Sequence, residues 1–64
     1  MELKHRRESK RWTQEQLSLK SGVSRISITR YESGQREPTL TIAAKLAAAL
    51  DCSVDDLVER KEES

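Results

Sequence analysis

The sequence predicts an all-α domain of five short helices, and three observations carry that prediction. No segment alternates apolar and polar residues over five or more positions with β-branched content, and no Asn-Gly or Asp-Gly hairpin turn is present. Residues that close helix amino ends recur at Thr13, Ser24, Thr39 and Ser53. Residues that stop helices recur between them, at Gly22, Gly34 and Pro38.

Taken in order, the expected helices cover residues 2–10, 14–21, 25–32, 40–49 and 54–59. The first is the weakest, because after Leu3 it offers only charged and polar side chains before Trp12. Thr13 and Gln16 have capping-box spacing, so each would satisfy a backbone N–H of the other at the start of the second helix. Ser24 opens the third, and Leu17, Val23, Ile28 and Tyr31 are expected to supply the central core. Thr39, just after Pro38, opens the fourth. There Leu40, Ala43, Ala44, Ala47 and Leu50 follow i, i+3, i+4, i+7 spacing, with Leu46 flanking the stripe. Ser53 and Asp56 open the fifth, where Val54, Leu57 and Val58 repeat the pattern. Residues 59–64 are charged, lack apolar anchors and read as a tail.

Composition limits what such a chain can do. Its 64 residues are 34% hydrophobic and 36% charged, with one Trp, one Tyr and no Phe. That allows one small aliphatic core, worth roughly 3–10 kcal/mol of net stability. A single cysteine excludes an intramolecular disulfide and a cysteine-rich zinc site. The longest apolar stretch, Ile42 to Leu50, contains Lys45 and is about half of what a membrane span needs. With no basic-then-apolar leader, the expected location is the cytoplasm. The net charge of +1 conceals a division. Residues 1–36 carry nine Lys/Arg against four Glu, a balance of +5, whereas residues 37–64 carry three against seven acids, a balance of −4. A molecule so divided would turn its amino-terminal half toward a polyanion.

The functional reading rests on residues 14–32. Two short helices joined by Gly22 to Ser24 must cross steeply, as in a helix-turn-helix. With Ile28 and Tyr31 facing inward, Arg25, Ile26, Thr29 and Arg30 share the opposite arc. The two arginines and the threonine read as donors suited to guanine O6/N7 and to phosphate, and Ile26 offers an apolar surface to a thymine methyl. An exposed isoleucine on a helix calls for a partner.

The segments TQEQLSLKSGVSRISITRYESGQREP and TLTIAAKLAAALDCSVDDL resemble the Cro and phage-repressor (XRE) type of helix-turn-helix, from about Leu3 to Val58. The TQEQL opening, GVS turn, E-S-G stop and P-T-L opening carry the likeness in combination. The resemblance implies a compact five-helix, lambda-repressor-like domain over residues 1–58, its helix-turn-helix at about 14–33 and its third helix in the major groove. It implies base reading by Arg25, Ile26, Thr29 and Arg30. Backbone contact would come from Gln14, Ser24, Ser27, Gln35 and Arg36, and an ion pair would join Arg7 to Glu32. It implies a transcriptional regulator, a repressor on an inverted-repeat operator in double-stranded DNA, acting as a homodimer without cofactor, metal or small-molecule ligand. The expected dimer surface is the fifth helix and preceding turn, around Ala49, Cys52, Val54 and Val58. Arg6 departs from the family in standing where an apolar residue is usual. Arg11 and Asp51 stand where glycine is common, which would place both in left-handed backbone.

Other residues read blandly. His5 has no second ligand nearby in sequence, Cys52 fits a small core slot, and Trp12 covers the junction of the first two helices. No arrangement of catalytic groups is present, so the chain is not expected to be an enzyme. The residues leave one alternative open: a protein-interaction module, such as an antitoxin-like or anti-regulator partner on the same fold, which would not need the Arg25–Arg30 ridge.

Overall fold

A computed structural model describes residues 1–57. They form α1 (Leu3–Ser9), α2 (Gln14–Ser21), α3 (Arg25–Ser33), α4 (Leu40–Ala49) and α5 (Val54–Leu57), with no strand among the described residues. The expected continuation of the fifth helix to 59, the role of Val58 and the tail 59–64 lie outside the described residues.

The helix starts follow local chemistry. Thr13 Oγ1 accepts from the Gln16 N–H at 3.1 Å, and Gln16 Oε1 accepts from the Thr13 N–H at 2.8 Å, closing a capping box. Ser24 and Thr39 cap α3 and α4 by accepting from Ser27 N and Ile42 N. A second reciprocal pair opens α5: Ser53 Oγ accepts from Asp56 N at 3.1 Å and Asp56 Oδ2 from Ser53 N at 3.2 Å. Hydrogen bonds from Ser53, the backbone one foremost, hold the Asp56 carboxyl below its usual value of 3.8. No side chain caps α1; the Glu2 N–H instead donates to Leu57 O at 2.8 Å, joining α1 to α5.

Three helix ends share one geometry. After α3, Gly34 adopts φ 82°, and Gln35 N and Gly34 N donate back to Arg30 O and Tyr31 O. After α1 and α4 the equivalent left-handed positions are Arg11 (φ 62°) and Asp51 (φ 60°). The same paired bonds run from Trp12 N and Arg11 N to Arg7 O and Glu8 O, and from Cys52 N and Asp51 N to Ala47 O and Ala48 O. Each of these two therefore carries a side chain in a backbone state that favours glycine.

Leu3, Leu17, Val23, Ile28, Leu46, Ala47, Leu50 and Leu57 form one core, with Trp12, Tyr31, Ile42, Ala49, Cys52 and Val54 half-buried around it. Two inward assignments need correction. On α4 the buried stripe is Ala43, Leu46, Ala47 and Leu50, while Leu40 is 75% exposed and Ala44 faces solvent. Two overlapping stripes satisfied the same spacing, and alanines gave little volume to separate them. Centring the face on Leu46 buries a large side chain, whereas Leu40 lies at the outer turn. Tyr31 stands at the core's edge, half-buried, not fully inside. Around this core α2 packs on α3 and α4, α4 on α5, and α1 on α3, which fixes the angle at which α3 is presented.

Candidate nucleic-acid interface

The turn between α2 and α3 is built from three devices. Gly22 adopts φ 79°, Ser21 Oγ accepts from Val23 N at 3.1 Å, and Val23 is buried. With Ile28 wholly buried beneath it, α3 turns Arg25, Ile26, Thr29 and Arg30 outward; all four are exposed, Ile26 at 66%. No carboxylate among the described residues pairs with Arg25 or Arg30. The geometry therefore gathers two guanidinium groups, a hydroxyl and an uncovered apolar side chain on one ridge.

Beneath the ridge lies a polar network that ties α1, α2 and α3 together. Arg7 Nε and Nη2 donate to the two Glu32 carboxylate oxygens at 2.7 and 3.0 Å, while Nη1 donates to Trp12 O at 2.7 Å. The side chains of Arg7 and Glu32 are 10% and 5% exposed. Hydrogen bonding to Glu32 raises the Arg7 pKa above its already high value against the opposing cost of burial, so the cation persists at every accessible pH. Gln14 Nε2 donates to Glu32 Oε1 at 3.0 Å, and Thr29 Oγ1 lies 3.0 Å from Gln14 Oε1. No buried side-chain nitrogen or oxygen among the described residues lacks a partner.

The remaining sequence-selected residues surround this centre. Ser24 Oγ donates to Ser27 Oγ at 3.0 Å while capping α3, so both hydroxyls lie at its amino end. Gln35 and Arg36 are exposed in the turn after Gly34, and their backbone N–H groups return to Arg30 O. The Gln14 link between Glu32 and Thr29 had no local signal, because its partners lie 18 and 15 positions away. Trp12 is half-buried, with Lys10 Nζ and Lys20 Nζ 5.5 and 5.0 Å from its ring centroid. Burial raises the Cys52 thiol pKa, which disfavours the thiolate. A depression lined by His5, Arg6, Ser9, Lys10, Leu50 and Asp51 shares no residue with the ridge. Among the described residues no helix is long and apolar enough to cross a membrane.

Two short helices, α2 and α3, packed together across a three-residue turn, with an outward ridge on the second, define a helix-turn-helix domain. A helix-turn-helix family model matches residues 3–57, and the chain belongs to that family, in its Cro and phage-repressor type. The family is a DNA-binding class and not an enzymatic one. Among relatives, the cryptic phage CTXphi transcriptional repressor RstR of Vibrio cholerae is 42% identical over 48 residues, covering 75% of this chain and 43% of the relative. An uncharacterized HTH-type transcriptional regulator of Bacillus subtilis is 37% identical over 57 residues, 89% of this chain and 49% of its own length. Another, from Methanocaldococcus jannaschii, is 38% identical over 55 residues, 86% of this chain and 83% of its own. The chain thus spans about half the length of the first two.

Proposed function

We propose that this chain is a sequence-specific, double-stranded DNA-binding transcriptional regulator, a repressor that occupies an inverted-repeat operator as a homodimer. One observation carries the reading: Arg25, Ile26, Thr29 and Arg30 stand outward together on a helix whose other side is locked into the core. The relatives named as a repressor and as regulators support it. In this mechanism α3 enters the major groove and its four outward side chains meet base edges. Gln14, Gln35 and Arg36 contact the phosphates on either side. Ser24 and Ser27 flank the backbone, Ser27 keeping its own hydroxyl proton for a phosphate oxygen. Occupancy of the operator excludes other proteins, and no covalent step is involved. A domain of this size covers about half of such an operator, and a second copy completes it.

Salt titration of binding to a duplex tests the proposal. Affinity should fall by about 0.9 log unit per log unit of salt for each phosphate neutralised. Unchanged electrophoretic mobility of every duplex at low salt would reject DNA binding in favour of a protein partner.

A further inference from the structure

Resting on that DNA-binding reading, we propose that Thr29 meets the groove as a hydrogen-bond acceptor, so that the base it faces is selected for an exocyclic amino group, adenine N6 or cytosine N4. The inference follows from counting protons along the network. Ionised Glu32 has only acceptors, and it already takes two N–H groups from Arg7. Its Oε1 lies 3.0 Å from the Gln14 amide. Turning that amide over would set oxygen against oxygen with no proton between them, so Glu32 dictates that Nε2 faces it. Gln14 Oε1 is then committed to the other side, toward Thr29.

Thr29 Oγ1 stands 3.0 Å from Gln14 Oε1 and 3.0 Å from the backbone oxygen of Arg25. Both neighbours are acceptors, and a hydroxyl has one proton to give. Whichever takes it, the proton stays inside the protein and only lone pairs face outward. A lone pair repels guanine N7 and O6 and thymine O4, and attracts the amino groups of adenine and cytosine. The two flanking arginines can only donate. The ridge therefore carries a donor, acceptor, donor pattern along Arg25, Thr29 and Arg30. The side-chain inventory alone had counted Thr29 among the donors; the relay reverses its sign. Glu32 and Gln14 act here as positioning residues.

The test selects bound duplexes from a random pool with the unmodified chain, Thr29→Val and Thr29→Ser, each checked for helical circular dichroism. At one position the unmodified chain should enrich adenine or cytosine. Thr29→Val should lose roughly three- to tenfold of that preference, at that position alone, and Thr29→Ser should keep it. Deleting the amino group from that base (purine for adenine, 2-pyrimidinone for cytosine) should cost the unmodified chain the same factor and the valine variant nothing. The loss measured on the unmodified chain needs no variant to fold. Enrichment of guanine or thymine lost with Thr29→Val would overturn the inference by showing a donor. So would a preference unaffected by Thr29→Val, or a loss spread evenly over all sequences. Failure to enrich any duplex would instead remove the DNA-binding reading, and the inference with it.

Discussion

Arg30 and Glu32 lie two positions apart on α3, yet one is exposed and the other nearly buried, and their substitutions should separate binding from stability. Arg30→Ala should cost about 1–3 kcal/mol on the selected operator and relax preference at one base pair, leaving the thermal melt unchanged. An equal loss on every sequence would make Arg30 a phosphate contact. Glu32→Ala removes the carboxylate that takes two Arg7 N–H groups and one from the Gln14 amide, leaving Arg7 with Trp12 O as its hydrogen-bond partner in a nearly buried site. Removing one partner of a buried pair costs about 3–5 kcal/mol. Against a total of roughly 3–10 kcal/mol, the melting temperature should collapse or folding be lost. Replacing both partners with apolar residues, Arg7→Met with Glu32→Leu, should recover much of that stability. It leaves Gln14 unanchored, so base preference should remain impaired in a binding assay on the recovered fold. A Glu32→Ala melt matching the unmodified chain would show that the pair contributes nothing to stability.

At the scale of the helix, starts and stops were legible because capping is local: a hydroxyl and the N–H three residues on are close in any helix. Thr13, Ser24, Thr39 and Ser53 all accept such bonds. Which face turns inward was less legible, since it depends on partners elsewhere in the chain, and the α4 stripe shows how alanines blur the choice. The network under the ridge was legible only in part. The Arg7–Glu32 pair followed from resemblance, whereas the Gln14 link needs three helices in place. Two element-scale predictions follow from the termini. Arg11→Gly relieves a left-handed side chain costing about 1–2 kcal/mol, offset by about 0.4–1 kcal/mol of added unfolded-chain freedom. The net gain of about 0.5–1 kcal/mol should raise the melting temperature by roughly 2–8 °C, and more than Asp51→Gly does, because aspartate tolerates this backbone better. A lower melting temperature would show that the Arg11 side chain contributes more than its strain. The start of α5 should respond to acid. A carboxyl whose folded value is depressed stabilises fully above its unfolded value and loses that contribution as pH falls through the folded one. Melts of the unmodified chain and Asp56→Asn should therefore differ in pH dependence only below about pH 4; divergence confined to neutral pH would contradict the capping role.

For the whole molecule, the homodimer proposed above sets how two copies share one site. Positive charge is concentrated in residues 1–36 and negative charge in residues 37–64. The half-buried side chains of Ala49, Cys52 and Val54, around α5 and the turn before it, are the surface we assign to the partner copy. Val58, also expected there, lies outside the described residues. If that contact pairs two domains by a twofold axis, their α3 helices must meet the same face of the duplex, about one helical turn or a multiple of it apart, roughly 34 Å. Inserting about five base pairs between the selected half-sites puts the second α3 on the opposite face, and should abolish the gain from having two half-sites. Inserting about ten restores the face but lengthens the span, so recovery should be partial if the contact is rigid and nearly full if it is loose. Mobility shifts across a spacing series measure this directly. An affinity indifferent to spacing would mean that each copy binds alone, and that the surface around Ala49, Cys52 and Val54 does not join two copies on DNA.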